Sequence, residues 1–442
     1  MITRTSYTIP MLLLVMVTTI AFGAIEPSVD YAPGTLIVKL KQTQDGLSKA
    51  ASPQAVFSSY NVKQVEPLFK PVAQSLRPSS IRLSDFYEIR VSESEDVLRL
   101  AERMSEDEHI EYVQPNYIYT VARVPDDPEY SRQYQWPRIQ APEAWDITTG
   151  SEEVVIGVID TGVDYEHEDL KDNIWQNPNE VIDGVDNDGN GYVDDVRGWD
   201  FVDNVKNAAN GEDSDEEDND PMDFEGHGTF VAGCAAAVSD NGTGVTGASW
   251  NSKIMPLRAG YKRNDGVGSL TTQGILDAMF YAAVNGADVL NLSFGGPFND
   301  QAQRDMMRWA FDQGVVIVKA AGNDNSPIAP IQSTEPWVLS VAATDDLDEK
   351  ATYSNYGDWV RIAAPGGNFG GGRAGIYSTV RQDRYGSKQG TSFAAPIVAG
   401  IAALVKSVYP LWSAAEITMH VVDTADNIDL DNPEYEGQLG KV

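Results

Sequence analysis

The sequence is poor in cysteine and in basic residues, and both shortages restrict what the protein can be. With Cys234 as its one cysteine, no intrachain disulfide can form, so stability must come from the apolar core or from bound metal. Lysine and arginine number 32 against 66 aspartates and glutamates, a net charge of −34. This charge argues against a nucleic-acid partner, because nothing would offset phosphate repulsion. It favours an extracellular, high-salt or cation-binding protein.

Long apolar runs are also scarce, and the most prominent one opens the chain. Arg4 precedes the run IPMLLLVMVTTIAF, which is too short for a membrane span, and Ala21 and Gly23 suit a cleavage site. Residues 1–23 are therefore predicted to be a signal peptide, with a retained N-terminal anchor as the alternative. We expect a secreted protein, extracellular or periplasmic. No membrane span is expected after signal cleavage, and no later segment is expected to be long and apolar enough to cross a membrane.

The residues that follow fall into two patterns. From 24 to 120 the chain resembles a small α+β unit, and its helix lies in SESEDVLRLAERMSED, where Ser92 and Glu95 have capping-box spacing. Its predicted strands are 34–40, 85–91 and 109–119. Residues 121–135 contain turn signals and are predicted to form an exposed linker.

From residue 136 to residue 442, strand and helix patterns alternate. The strands are apolar and rich in β-branched residues, as buried parallel strands are. They are predicted at 153–160, 287–294, 315–323 and 337–345, with helices at 270–285 and 300–313. This alternation predicts an α/β fold, a doubly wound, mostly parallel sheet with helices on both faces. Ligands of such sheets bind at the carboxyl ends of the strands.

Four polar residues lie where these elements end or begin. Asp160 ends a strand in VIDTGVD, His227 stands between glycines in EGHGTFVAG, Asn323 ends a strand in AAGN, and Ser392 begins a helix in GTSFAAP. Each has a structural explanation: Asp160 capping a turn, His227 capping a helix, Asn323 in the left-handed conformation, and Thr391 or Ser392 capping the last helix. The four together, in this order, are harder to explain that way.

The motifs VIDTGVD, GHGTFVAG and GTSFAAP resemble the signatures of subtilisin-like serine proteases, the subtilases, and AAGN resembles their oxyanion segment. The resemblance covers about residues 126–440, and the preceding unit resembles the family's ferredoxin-like inhibitory propeptide. It implies a secreted, calcium-stabilised serine endopeptidase that hydrolyses protein or peptide substrates. It also implies a zymogen that cuts itself near 119–126 and whose propeptide acts as intramolecular chaperone and inhibitor.

The residue types suit this chemistry. Ser392 is a weak nucleophile until His227 takes its proton, and Asp160 would hold the imidazole in the required tautomer. The Ser392 backbone N–H and the Asn323 amide would stabilise the oxyanion. One alternative is a catalytically inactive subtilase-fold protein that binds partners in a calcium-dependent way. An α/β-hydrolase esterase is set aside, because its serine would precede the acid and the histidine.

The resemblance also implies a substrate groove, and the sequence differs from the family at two positions near the catalytic residues. LSFGG (292–296) resembles the edge strand that pairs with extended peptide. An apolar or broad first specificity pocket is expected from Ser293, Phe294, Gly295, Ala320, Ala321 and Gly322. Phe230 replaces a usual histidine. Phe393 replaces the methionine beside the nucleophile, which predicts activity that survives mild peroxide.

Cys234 and the end of the chain leave two further expectations. Cys234 follows His227 on the same helix and suits a small buried hydrophobe, with a reactive thiol as the alternative. The chain stops at EGQLGKV, where family members usually continue into a further helix, so a truncated product or fragment is expected.

Two acidic segments within an insertion at 177–225 predict calcium binding. DGVDNDGNGYVDD places Asp186, Asp188 and Asn190 at alternate positions before a glycine, as an EF-hand loop does. Its twelfth position is Arg197, so Asp194 or Asp195 is expected to close the loop; an acidic solvated loop is the alternative. Around the acidic stretch 210–225, the further candidate ligands are Asp200, Asp203, Asp218 and Asp220.

A third calcium site rests mainly on resemblance. VSDNGTGV (238–245) resembles the calcium loop of thermitase-like subtilases. The implied ligands are Asp127, Asp169, Val238, Asn241, Thr243 and Val245. This ion would tie the mature N-terminus to the body of the protein.

Overall fold

The structure is a computed structural model that describes residues 31–41, 53–70, 82–118, 123–296 and 299–442. The chain divides into two compact units, Met1–Val121 and Ala122–Val442. The predicted signal peptide and the start of the predicted processing region, 119–122, lie outside the described residues.

The N-terminal unit has the βαββαβ order of a ferredoxin-like fold. Its elements are β1 Tyr31–Leu40, α1 Pro53–Phe57, β2 Gln64–Pro67, β3 Phe86–Arg90, α2 Val97–Ser105 and β4 Ile110–Tyr117. The sheet is antiparallel with the order β2-β3-β1-β4. Helix α2 buries Val97, Leu100, Ala101 and Met104, the i, i+3, i+4, i+7 stripe that packs on a core.

Helix α2 begins four residues later than the capping-box prediction required. Its N-cap is Asp96, whose side chain accepts a hydrogen bond from Arg99 N at 3.1 Å. Ser92 instead bonds Ser94 through its hydroxyl. The prediction was wrong because two overlapping cap signals precede the same apolar stripe, and the aspartate lies directly before it.

The C-terminal unit alternates strands and helices as predicted. The elements before its midpoint are α3 Gln135–Arg138, α4 Ala141–Trp145, β5 Val155–Asp160, β6 Trp199–Asp200, α5 His227–Ala236, β7 Lys253–Arg258, β8 Gly260–Lys262, β9 Gly268–Leu270 and α6 Thr272–Val284. Those that follow are β10 Val289–Leu292, α7 Gln301–Asp312, β11 Val316–Ala320, β12 Val338–Thr344, β13 Ile362–Pro365, β14 Ile376–Val380, β15 Arg384–Lys388, α8 Thr391–Val408 and α9 Ala414–Thr424.

Seven strands form the central sheet, in the order β13-β12-β11-β10-β5-β7-β6, and all pairings are parallel. Strands β5, β10, β11 and β12 are buried along their whole length, which explains their continuous apolar runs. Along β11, Val316 and Val318 join the core formed with α5 and α8, while Ile317 joins the core formed with α6 and α7. Helices therefore cover both faces, and the predicted fold class is confirmed.

Helix α8 is long and apolar enough by composition to cross a membrane, with a mean hydropathy of 1.6 over 18 residues. The expectation that no segment after the signal peptide has this character was therefore wrong. Of these residues, 67 % are buried inside the protein. Its apolar character is explained by packing against the central sheet and α5 on most of its circumference.

The segment predicted as an exposed linker is partly buried from Pro125 onward. Gln133 donates to Thr246 O and accepts from Thr246 N, both at 2.8 Å, and Asp127 accepts from the Thr246 hydroxyl at 2.7 Å. The turn signals and polar composition favour exposure. They do not reveal that these polar groups bond inward to a loop more than 100 residues away.

Candidate active site

Asp160 and His227 are brought together by the end of β5 and the start of α5. His227 Nδ1 lies 2.8 Å from Asp160 Oδ1, which also accepts the backbone N–H of Thr161 at 2.8 Å. Asp160 is 1 % exposed. A Cβ added at Gly228 would lie 2.0 Å from the carbonyl oxygen of Gly162, so this approach requires glycine after the histidine.

The carboxylate sets both the tautomer and the basicity of the imidazole. Burial lowers the pKa of His227, but the charge of Asp160 and its hydrogen bond outweigh that effect, so the pKa lies above its ordinary value. The nearby Lys388 charge opposes this rise. Because the carboxylate accepts the Nδ1 proton, Nε2 carries the lone pair of the neutral ring and is the atom able to take a proton.

Ser392 is the second residue of α8, directly after Gly390 and Thr391. Its hydroxyl donates to Ser293 O at 3.0 Å, and the Ser293 hydroxyl donates to Ser392 O at 2.8 Å. Within the described residues, neither Thr391 nor Ser392 caps the helix with its side chain, so that alternative was wrong.

The start of α8 lies beside His227. The ring of Phe393 is 5.3 Å from the imidazole, centroid to centroid. Among the described residues no hydrogen bond joins the Ser392 hydroxyl to His227. Such bonds are often long or misaligned in enzymes without substrate and tighten when substrate binds.

Asn323 is held by the same helix start. Its Oδ1 accepts from Thr391 N at 2.9 Å and from Thr391 Oγ1 at 3.0 Å, while Gly322 N donates to that hydroxyl at 3.1 Å. Asn323 is not in the left-handed conformation, which Gly322 adopts with φ +106°. With Oδ1 fixed, the Nδ2 end of the planar amide is oriented away from Thr391 and is available to donate.

Asn355 supports this loop and was missed from the sequence. Its Oδ1 accepts from Asp324 N and Ser326 N, both at 3.0 Å, and its Nδ2 donates to Ala321 O at 2.9 Å. A Cβ at Gly322 would lie 2.4 Å from Asn355 Nδ2. No spacing signal links residue 355 to the AAGN segment, because the contact is made only by folding.

A cleft of about 420 Å³, whose lining includes Asp160 and His227, is open to solvent. Of the six residues predicted for the first specificity pocket, Ser293, Phe294 and Gly295 line this cleft. Ala320, Ala321 and Gly322 are not among its lining residues, and both alanines are buried. Lys319, which precedes them on β11, does line the cleft.

Phe230 and Phe393 form an aromatic layer behind His227. Their ring centroids are 4.6 Å apart, and Lys388 Nζ lies 5.2 Å from the centroid of Phe230. Cys234 is buried on α5, and burial raises the pKa of its thiol to about 12. A thiol that stays protonated at physiological pH supports the interpretation of Cys234 as a small buried hydrophobe.

Asp127 and Asp169 meet around the loop 238–245, as the thermitase-like resemblance implied. Asp169 accepts from Asn241 Nδ2 at 3.1 Å and from Val245 N at 2.8 Å, and Asp127 accepts from Asn241 N at 3.2 Å. Burial raises the pKa of Asp169 to about 7, and the charge of Asp127 adds to the rise. The structure thus brings two buried carboxylates together against neutral N–H donors, and carboxylate oxygens are ligands of the kind that calcium takes.

The EF-hand-like loop has a partner that lies outside it. Carboxylate oxygens of Glu180, Asp186 and Asp188 lie within 4.8 Å of one another. Glu180 is 6 % exposed and was not predicted, because it precedes the loop motif. The two predicted closing residues bond within the loop without joining this carboxylate cluster among the described residues: Asp194 accepts from Gly184 N, and Asp195 accepts from Asn190 Nδ2 and the Tyr281 hydroxyl.

Of the four candidates around the acidic stretch, Asp200 and Asp218 lie together, and the third carboxylate of their cluster is Asp213. Within the described residues, Asp203 and Asp220 do not join this cluster. Asp200 is paired with the fully buried Arg258. Burial nevertheless raises the pKa of Asp200 to about 8.

The comparisons with known proteins cover both units. Residues 151–440 match the subtilase family, and residues 24–116 match the fervidolysin N-terminal prodomain. The chain is similar to a thermophilic serine proteinase of Bacillus sp. (strain AK1), with 34 % identity over 400 residues, 90 % of this chain and 83 % of that one.

Two further comparisons agree. Thermitase of Thermoactinomyces vulgaris is 36 % identical over 305 residues, 69 % of this chain and 92 % of thermitase. A solved protease structure from Pseudoalteromonas arctica PAMC 21717 superposes with a TM-score of 0.57 at 31 % identity, covering 69 % of this chain and 93 % of that one. The family predicted from the motifs is confirmed.

Proposed function

The chain belongs to the subtilase family of serine endopeptidases, and from that premise we propose that Asp160, His227 and Ser392 form its catalytic triad. The observation that carries the proposal is the 2.8 Å contact between Asp160 Oδ1 and His227 Nδ1 in the lining of the cleft. In this mechanism Ser392 turns from Ser293 O toward His227 Nε2, which removes its proton as the oxygen attacks the substrate carbonyl.

The tetrahedral intermediate places negative charge on the former carbonyl oxygen. The Ser392 backbone N–H lies in the first turn of α8, where it has no intrahelical acceptor. The Asn323 Nδ2 group is oriented by the bonds from Thr391 to its Oδ1. These two donors would stabilise the oxyanion, and Asn355 and Gly322 would hold Asn323 in place.

Collapse of the intermediate releases the amine product, to which His227 returns the proton. A water molecule, deprotonated at the same Nε2, then attacks the acyl-enzyme and frees Ser392. Asp160 stays ionised and stabilises the imidazolium in both steps. The result is hydrolysis of a peptide bond in a protein or peptide substrate.

The unit that precedes the catalytic domain acts, in this proposal, as inhibitor and folding aid. The prodomain match over 24–116 supports a zymogen that is processed near 119–126 and secreted after removal of residues 1–23. N-terminal sequencing of secreted wild-type protein beside Ser392→Ala tests this. The wild type should begin near 119–126 and the variant should retain the prodomain, whereas equal processing of both would assign the cut to another protease.

Calcium is proposed at the two groups whose donors suit it. Asp127, Asp169 and the loop 238–245 would hold one ion, and Glu180, Asp186 and Asp188 would hold another. Bound calcium would supply positive charge that offsets the buried carboxylates. The loop 238–245 would then be held against Asp127, which lies just after the proposed processing region.

Casein hydrolysis by purified wild type and Ser392→Ala tests the catalytic assignment. Ser407→Ala is the matched control, because Ser407 is on the same helix and bonds Thr148 and Leu404 away from the cleft. Ser392→Ala should abolish hydrolysis and Ser407→Ala should retain it. Calcium-dependent folding with no hydrolysis by the wild type would favour the alternative, an inactive binding protein.

A further inference from the structure

Lys319 lies in a strand whose other residues are all apolar. It lies on β11, which is buried at every residue, and it is itself 2 % exposed. Side chains alternate along a strand, so Lys319 shares its face with Ile317, toward the core of α6 and α7. A lysine is rarely placed there unless its charge is paired.

The ammonium group of Lys319 has one protein partner among the described residues. Nζ donates to Phe294 O at 2.9 Å and lies 4.9 Å from the centroid of the Phe294 ring. It forms no ion pair within the part of the chain that the structure describes. Asp300 lies near enough to influence it, but its two oxygens accept from Gln303 N and from the Thr272 hydroxyl.

An ammonium has three donors, so two remain beyond the bond to Phe294 O. Burial of a charge without an ionic partner is costly. This burial lowers the pKa of Lys319 to about 8, and Asp300 opposes the shift, so most molecules keep the charge at neutral pH. A costly charge that packing does not require points to a role in binding.

The position of the charge indicates which ligand it would meet. Lys319 lines the same cleft as Asp160 and His227, together with Phe294 and Gly295 of the segment expected to pair with substrate. The other charged groups along the described lining are Asp160, Glu225, His227 and Asp300. The Lys319 ammonium, as a positive charge in a cleft otherwise lined by acidic groups, favours a negatively charged substrate group at its own position only.

We propose that Lys319 binds the carboxylate of a glutamate or aspartate side chain of the peptide substrate, at a subsite of the cleft beside Phe294. The proposal rests on the proposed endopeptidase function of the same cleft. The substrate carboxylate would accept from Nζ and supply the ionic partner that the folded chain lacks. Lys319 is thus a specificity-determining residue, and an acidic side chain is preferred at one substrate position.

The test uses peptide p-nitroanilides in pairs that differ only by glutamate or glutamine at one of the four positions before the cleaved bond. The ratio of kcat/KM for the glutamate and glutamine peptides should be about tenfold at one position, the scale of a charged hydrogen bond. Salt at about 0.15 M or above limits repulsion by the protein's overall negative charge. In Lys319→Met the ratio should fall to one or below.

Lys350→Met is the matched control. Lys350 is also buried, but its Nζ donates to Asn325 Oδ1 and Ala351 O, and it does not line the cleft. This variant should keep the wild-type ratio. Equal cleavage of both peptides at all four positions by the wild type, or an unchanged ratio in Lys319→Met, would overturn the proposal.

The pH profile keeps the test decisive even where Lys319→Met fails to fold. Lys319 is protonated below its pKa and neutral above it, so the wild-type glutamate preference should be lost as pH rises through about 8. In Lys319→Arg, where the charge persists, the preference should continue to higher pH. The variants retain Asp160, Glu225, His227 and Asp300, so a pH effect of those groups appears in every profile.

The same measurements separate this proposal from the one it rests on. An enzyme that cleaves neither peptide of any pair contradicts the endopeptidase assignment. An enzyme that cleaves the glutamine peptides well and shows no preference that depends on Lys319 retains that assignment and overturns the acidic subsite alone.

Discussion

Asp160 and Asp169 are almost equally buried, 1 % and 0 % exposed, but the groups opposite them differ. Asp160 faces an imidazole at 2.8 Å, a partner that can become positively charged. Asp169 faces a backbone amide and the side-chain amide of Asn241, which donate hydrogen bonds but carry no charge. The charge that raises its pKa most is that of Asp127, a second carboxylate.

The comparison teaches that the role of a buried aspartate is decided by what faces it. A carboxylate beside an imidazole can stabilise a proton as it moves, which is useful in catalysis. Two buried carboxylates that face only neutral donors repel each other when both are ionised, so the pair requires a bound proton or a cation. The first arrangement suits chemistry and the second suits a structural ion.

The largest expected effect comes from exchanging the two aspartates for asparagine separately. Asp160→Asn should lower kcat/KM by about 10⁴-fold, the scale found for this change in serine proteases, because the imidazole loses its tautomer control. Asp169→Asn should leave kcat/KM within a few-fold when calcium is present. Steady-state kinetics with thermal melts checks both, and comparable losses of activity in the two variants would erase the distinction.

Removal of calcium should lower the thermal stability of the protein, because the carboxylates of the proposed calcium sites, Asp169 among them, would lose their bound cation. An ion held at about 100 times its dissociation constant stabilises the native state by about 2.7 kcal/mol, so a chelator should lower Tm by several degrees. The double variant Asp127→Asn with Asp169→Asn should melt lower than wild type in calcium and respond less to the chelator. An unchanged wild-type Tm after chelation would count against both proposed ions.

A smaller change is expected in the pH profile of activity. Since the pKa of His227 is raised above its ordinary value, activity should fall as pH decreases through that raised pKa and the imidazole becomes protonated. Lys388 lowers the pKa of His227, so Lys388→Gln should move the acidic limb of kcat/KM to higher pH. A limb that moves to lower pH would mean that Lys388 does not act on the imidazole by its charge.

The smallest expected effect is resistance to oxidation. Phe393 contacts the His227 ring and has no sulfur to oxidise, so brief exposure to mild peroxide should leave activity nearly unchanged. Phe393→Met should create sensitivity at the same position. Rapid loss of wild-type activity in mild peroxide would contradict this prediction.

The elements that hold the candidate triad were predictable because their signals are local. The apolar strand ending at Asp160, the glycines around His227 and the small residues after Ser392 each constrain a few neighbouring positions. The predicted strands and helices of the C-terminal unit lie within three residues of the observed bounds. Local constraints of this kind can be recognised in the sequence without knowledge of the rest of the fold.

Residues that act over long chain separations were not predictable in the same way. Asn355 supports the loop before Asn323 from about 30 positions away, and Glu180 joins Asp186 and Asp188 from outside their motif. The strand predicted at 315–323 contains Lys319, but the sequence pattern assigns no role to the charge of this residue. Its meaning depends on a cleft assembled from several separate segments, which no spacing rule describes.

Adduct mapping with a fluorophosphonate reagent tests the central claim, that Asp160 and His227 activate Ser392, most directly. We predict one adduct, on the tryptic peptide that contains Ser392, formed rapidly in wild type and slowed on the order of 10⁴-fold in Asp160→Asn. Labelling of another residue, or equal labelling rates in the two proteins, would contradict the account.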